Sequence, residues 1–202
     1  MHKEINFYDL EKRQRANFIN SLSGFKSANL IATINSKGLS NLAIFSSLFH
    51  LGADPALFGF IIRPDVVPRD TLTNIRANNK CTVNHVSDMM TEDAHHTSAR
   101  YPKEINEFSK TDLTEEYIDL YEVPFVKESL IKYSAHLVEE ISIKHNGTQM
   151  LVMQIDKVYL DPNTLQNDHS IDLAKAGSVC ISGLYSYHTT KLIAKYPYAK
   201  PK

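Results

Sequence analysis

The sequence predicts a mainly β protein, an antiparallel barrel, closed or partly closed, decorated with helices. Three observations carry this. Six or more strand-like segments recur along the 202 residues. Asn146-Gly147, the strongest hairpin signal in the chain, joins two such segments. The helical patterns are short and scattered between strands, as decoration rather than as a bundle.

Each element follows from local pattern. Residues 1–24 read as an N-terminal arm and a short polar helix ending near Gly24. Residues 27–35 are strand-like, and Ser36-Lys37-Gly38 turns the chain into a second strand over 39–45. Residues 49–55 read as a connection. Residues 57–63 form an apolar run with one glycine, which predicts a buried strand. Leu72 and Ile75 share a face behind Asp70, so a helix capped by that carboxylate is expected over 70–79. A strand follows over 80–86.

Residues 87–121 hold many charges and few β-branched runs, which predicts a helical, irregular excursion. Strict alternation returns at Ile131, Tyr133, Ala135 and Leu137, and the hairpin is expected from 139–145 and 148–160. A short helix is expected at 171–176, before Gly177, and a tail closes the chain. With no internal repeat, residues 1–202 read as a single domain with an arm, an excursion and a tail.

Composition narrows the function. Hydrophobic residues make up 43% and charged residues 22%, ordinary values for a globular protein. A net charge of −1 gives no field that would favour nucleic acid or an anionic membrane. The charged start Met1-His2-Lys3-Glu4 lacks a signal-peptide core, and no apolar run approaches bilayer length. Cys81 and Cys180 lie far apart without a C-x-x-C, so a reducing cytoplasm is the expected compartment. Glu92 and His95 make a lone E-x-x-H with no second copy, and no metal site is expected. No Rossmann, P-loop or hydrolase-elbow motif is present.

Two segments about twenty residues apart carry the chemistry. Asn41-Leu42-Ala43-Ile44-Phe45-Ser46-Ser47 ends a strand in small and hydroxyl residues, bringing backbone amides and two serines to one strand end. Arg69-Asp70-Thr71 opens a helix, where unpaired N–H groups and the positive end of the dipole suit a phosphate. Arg63 lies just after the intervening strand and offers a second guanidinium fork. A flat ring held along one segment and a phosphate in the other is what FMN requires. The alternative is that Arg63 and Arg69 are surface cations paired with Asp65 or Asp70. Asn84, in the strand Val83-Asn84-His85, is either a structural asparagine or a residue near the ligand.

The N-L-A-x-F-S-S and R-D-T-x-x-N-I segments, with D-P-x-L and R-P between them and V-N-H after, resemble the flavin reductase-like, FMN-binding split-barrel family. Ala94-His95-His96-Thr97-Ser98-Ala99 and Pro124-Phe125-Val126-Lys127-Glu128-Ser129 are similar to its flavoredoxin-type branch. The resemblance spans roughly residues 20 to 190. It implies an antiparallel split β-barrel that binds FMN, with Asn41, Ala43, Phe45, Ser46 and Ser47 at the ring. It implies Arg63, Arg69, Asp70 and Thr71 at the phosphate, Asn84 near the flavin, and Ala94, His96, Thr97 and Ser98 closing over it. It departs from the family at Ile44, where many members carry proline, and at Arg69, where many carry lysine.

The activity so implied is that of an NAD(P)H-dependent flavin reductase-like oxidoreductase, passing electrons through FMN to a flavin or another small acceptor. No catalytic side chain is required, because the flavin carries the reaction. A homodimer is implied, with the strands near 130–160 and the tail as contacts. The alternative is a non-catalytic module that carries or senses FMN or another planar cofactor.

Overall fold

A computed structural model describes residues 1–64 and 67–201. The strands are β1 (Lys26–Ser27), β2 (Asn29–Ile34), β3 (Ser40–Phe45), β4 (Phe49–Ala53), β5 (Ala56–Ile62), β6 (Lys80–His85), β7 (Glu115–Glu116), β8 (Phe125–Val126), β9 (Ile131–Ile143), β10 (Thr148–Leu160), β11 (Cys180–Ser182) and β12 (Ser186–His188). The helices are α1 (Lys12–Leu22), α2 (Asp70–Asn78) and α3 (Thr91–His96), with short 3-10 turns between. Among the described residues, no helix is long and apolar enough to cross a membrane.

Seven antiparallel strands form the main sheet in the order β3-β2-β6-β9-β10-β5-β4. The first and last strands in that order are consecutive in sequence. Residues 46–48 alone join Phe45 of β3 to Phe49 of β4, a reach of at most about 15 Å. The sheet therefore curls until its edges approach. No ladder pairs β3 with β4, so the barrel stays open along that seam. This is the split barrel expected from the strand pattern.

Both faces of the sheet are buried at β2, β6 and the first half of β9. Inside the curl, Ile31, Phe58, Phe60, Val83, Tyr133, Leu151 and Met153 pack with Leu72 and Ile75 of α2. Outside it, Leu30, Ala32 and Leu42 pack against Ala94, Phe108, Leu113, Val126 and Ile181. The segment expected as an excursion is thus the outer layer of the barrel wall. Burial on both faces explains why β2 reads as a continuous apolar run rather than an alternation.

Three expectations need correction. Residues 49–55 contain β4 and its turn into β5, not a plain connection; the exposed pattern of Phe49–Ala53 hid an edge strand. The hairpin strand β9 runs unbroken from Ile131 to Ile143, and its turn spans residues 144–147, with Gly147 at φ +72° donating its N–H to Ile143 O at 2.9 Å. Residues 171–176 form no helix. They make a turn with one helical bond, Ala176 N to Asp172 O at 3.0 Å, before the chain enters β11.

His85 ends β6 opposite Asn29, and its Nδ1 lies 3.4 Å from Ser178 Oγ. Burial pulls its pKa from the ordinary 6.5 down to about 4. The unfolded chain therefore takes up this proton first as pH falls, and native stability drains between pH 6.5 and 4. We predict that the unfolding free energy, measured by urea titration from pH 7 to 4.5, falls more steeply in the wild type than in His85→Asn. The expected difference is about 2–3 kcal/mol; parallel slopes would show that His85 does not titrate this way.

Candidate functional site

The site is assembled where β3, the end of β5 and the start of α2 meet. Helix α2 begins at Asp70, with Arg69 in the N-cap position and no side chain capping the first turn. Asp70 was expected as the cap; it is instead the first helical residue, so the amides of Asp70, Thr71 and Leu72 have no intrahelical partner. The buried Thr71 accepts a hydrogen bond from Asn41 Nδ2 at 3.2 Å, and Asn74 Nδ2 donates to Thr33 Oγ1 at 3.0 Å. These bonds fix the helix start against β2 and β3.

Three guanidiniums gather at this helix start. Burial first, then the nearby charges of Arg63 and Arg100, pull Arg69 below its usual pKa. Arg69 Nε donates to Pro64 O at 3.4 Å. Among the described residues none of the three arginines forms an ion pair, Asp70 included; Asp65 lies outside the described residues. Like charges converge here beside amides without an intrahelical partner, and among the described residues no carboxylate pairs with them.

The outer edge of β3 supplies the second part. Leu42 N donates outward to the carboxylate of Glu107 at 2.8 Å rather than to β2. In an antiparallel ladder alternate residues face the partner, so the backbone groups of Ile44 also face outward. Those of Asn41, Ala43 and Phe45 face Thr33, Ile31 and Asn29 of β2. The outward donors along the edge thus belong to even positions, and Asn41 contributes only its side chain. Two clefts lie elsewhere, one lined by Ser129, Lys132 and Tyr159 and another by Asp88, Asp93 and Glu128.

Not every expected residue has a free group. Ser47 Oγ donates to Ile61 O at 2.9 Å and accepts from Ile61 N at 3.1 Å, stitching the link after β3 to β5. Phe45 packs edge-on against Phe60, with ring centroids 5.2 Å apart. Asn84 is fully buried; its Nδ2 donates to Leu30 O and Thr82 Oγ1, each at 3.2 Å, and its Oδ1 accepts from Val126 N at 2.9 Å. That is the structural asparagine, with nothing left for a ligand. Ser46 is half-buried, with no side-chain bond among the described residues.

Helix α3 packs near β3, yet Ala94 belongs to the outer core, and buried Thr97 donates to Ala94 O at 2.8 Å. These two residues hold the helix in place. His96 and Ser98 are exposed, with His96 Nε2 at 2.5 Å from Tyr101 Oη. Residues 97–106 run from α3 to the 3-10 turn Glu107–Lys110, both against β3, and carry Arg100 past the arginine pair. His95 Nδ1 lies 3.0 Å from Tyr187 Oη, which ties α3 to β12. Among the described residues no group of three or more metal-ligating side chains converges.

Sequence reasoning missed Arg100 and Glu107. Arg100 directly follows the Ala94 to Ala99 segment and could have been noted as a third cation. Glu107 carried no local signal, because its role depends on a strand edge 65 residues earlier. Burial raises the Glu107 pKa, while the bond from Leu42 N works against that rise.

The chain belongs to the flavin reductase like domain family, whose model matches residues 22–184. A split-barrel protein from Shewanella frigidimarina, provisionally assigned as a flavin reductase, is 50% identical, with a TM-score of 0.94 over 98% of this chain and 100% of that one. Flavoredoxin of Desulfovibrio vulgaris shares the fold at 16% identity and a TM-score of 0.79, covering 98% of each chain. An uncharacterized protein of Aquifex aeolicus is 26% identical over 66% of this chain and 70% of its own length. Family membership makes this protein a flavin-associated oxidoreductase.

Glu107 occupies the outer edge of β3 at Leu42. Glu107→Ala leaves Leu42 N–H buried without a partner, at a cost of about 1–3 kcal/mol. Glu107→Gln keeps an acceptor and should lose less. Urea unfolding of the two variants checks this; equal loss would mean the carboxylate's bond to the edge is immaterial.

Proposed function

We propose that the protein is an FMN-binding oxidoreductase that takes electrons from NAD(P)H and passes them through FMN to a flavin or another small acceptor. The observation that carries the reading is the trio Arg63, Arg69 and Arg100, without an ion pair among the described residues, at the start of α2 beside the open edge of β3. A phosphate monoester placed there meets helix amides and guanidinium forks and relieves the repulsion among the cations. A neutral or cationic ligand gains nothing from this arrangement.

When bound, the flavin supplies the redox chemistry, accepting hydride equivalents from a nicotinamide and releasing them to the acceptor. The chain's own residues bind and orient. Arg63, Arg69 and the α2 amides hold the phosphate, with the Thr71 hydroxyl, fixed by Asn41, beside them. Ile44 and Ser46 at the β3 edge present the groups that meet the polar rim of the ring, with Ala43 as a small neighbour. His96 and Ser98 lie on the segment that covers it.

A flavin exposed on a single small barrel would be poorly covered, which favours a homodimer. Val138, Ile141 and Val158 expose apolar surface on the β9–β10 hairpin, as do Phe49 and Leu51 on the edge strand β4. These surfaces suit an interface between two copies.

The deciding experiment is the visible spectrum of the purified protein, followed anaerobically by NADH and then NADPH. Flavin bands that bleach support the reductase. Bands that persist mean a holder reduced by something else, and a protein that also fails to take up added FMN is not a flavoprotein of this kind. Arg69→Ala combined with Thr71→Ala should weaken FMN binding by about tenfold or more, at roughly 1.4 kcal/mol per tenfold, and leave riboflavin binding nearly unchanged. Equal loss for the two flavins would remove the phosphate assignment.

A further inference from the structure

A cleft of about 570 Å³ opens on the far side of α3 from the β3 edge, between the turn at 87–90, residues 112–113, Glu128 and the turn at 175–177. Asp88, Asp93, Asp112 and Glu128 place four carboxylates around it against one cation, Lys175. Two are fixed by backbone bonds: Asp93 accepts from Asp112 N at 3.1 Å and Glu128 from Thr114 N at 3.0 Å. Among the described residues none of the four forms an ion pair. The rim is apolar, with Met89 91% and Leu130 41% exposed. The cleft is acidic and greasy at once.

The same chain carries a segment of the opposite character. Residues 189–202 contain Lys191, Lys195, Lys200 and Lys202 and no carboxylate side chain. Residues 189–201 have no regular secondary structure, and Leu192, Ile193, Tyr196 and Tyr198 are 71%, 96%, 85% and 93% exposed. Four large apolar side chains alternate with lysines and stand in water. Pro197 and Pro201 favour an extended conformation, which lowers the entropy lost on docking. Within its own chain this tail is tied to the loop before β11, because Lys195 pairs closely with Asp168; Asp168 is not part of the cleft.

We propose that the acidic cleft of one copy receives the C-terminal tail, residues 189–202, of a second copy, so that the two chains exchange arms reciprocally. Lysines of the arm meet Asp88, Asp93, Asp112 and Glu128, and its leucine, isoleucine and tyrosines cover Met89 and Leu130. A reciprocal exchange satisfies twofold symmetry, each arm contributing once to the same contact. Because Asp93 lies on α3, the docked arm also braces the helix that leads into the Arg100 segment. The inference rests on the homodimer part of the functional reading and not on the flavin.

The test is a charge swap in the full-length protein, read by sedimentation velocity. Asp88→Lys with Glu128→Lys reverses the cleft, and Lys191→Glu with Lys195→Glu reverses the arm. Each variant alone should self-associate at least tenfold more weakly than the wild type. An equimolar mixture should recover wild-type affinity as a heterodimer, because both of its arms then face opposite charge. Circular dichroism and thermal melting of each variant establish that it is folded. A wild-type dimer whose variants associate normally, or whose mixture shows no recovery, overturns the exchange while leaving the dimer intact; a tail docked in its own chain's cleft gives the first of these results. A monomeric wild type removes the dimer reading and the exchange together, with the flavin spectrum unaffected.

Discussion

The three-residue link between β3 and β4 is the constraint from which the rest of the architecture follows. Those strands are the two ends of a seven-stranded order, so a tether this short leaves the sheet no choice but to curl. Ser47 reinforces it by accepting and donating at Ile61. It cannot zip the seam, because six antiparallel pairings give β3 and β4 the same sense, and so short a link cannot lay two such strands side by side. Curling makes an interior for the aromatic core, and failing to close leaves β3 with an edge that nothing in the main sheet pairs.

An unpaired edge is usually a hazard. Here the outer layer turns it into a binding strip. Glu107 reaches Leu42 N, Asn106 donates to Ser40 Oγ at 2.7 Å, and Ala94 packs beneath. The edge is therefore blocked at its start and open at Ile44, where backbone groups face out. The same layer carries Arg100 toward Arg63 and Arg69.

Much of this was legible in the sequence for local reasons. The α2 start could be read because a cation, an acid and a threonine precede Leu72 and Ile75 at helical spacing. The β9–β10 hairpin could be read from Asn146-Gly147 and the alternation around it. Strand β4 could not, since an exposed edge strand has no apolar period of its own. The function of Glu107 was hidden for a similar reason: a carboxylate that satisfies a distant backbone amide looks like any surface acid. Asn84 was ambiguous because a buried asparagine bonded to three partners and one aimed at a ligand have the same neighbours in sequence. Ala43 and Phe45 turn their backbone groups toward β2, which the sequence could not show, since pairing parity is decided by β2 and not by the residues themselves.

The arginine cluster has a consequence for the lifetime of the chain. Three like charges held together are a standing cost to the folded state and to no other state, so an anion that fills the gap raises resistance to unfolding in proportion to its occupancy. Stability and ligand supply become linked quantities. Were the proposed phosphate ligand to bind here, its scarcity would lower the chain's resistance to unfolding and shorten its lifetime.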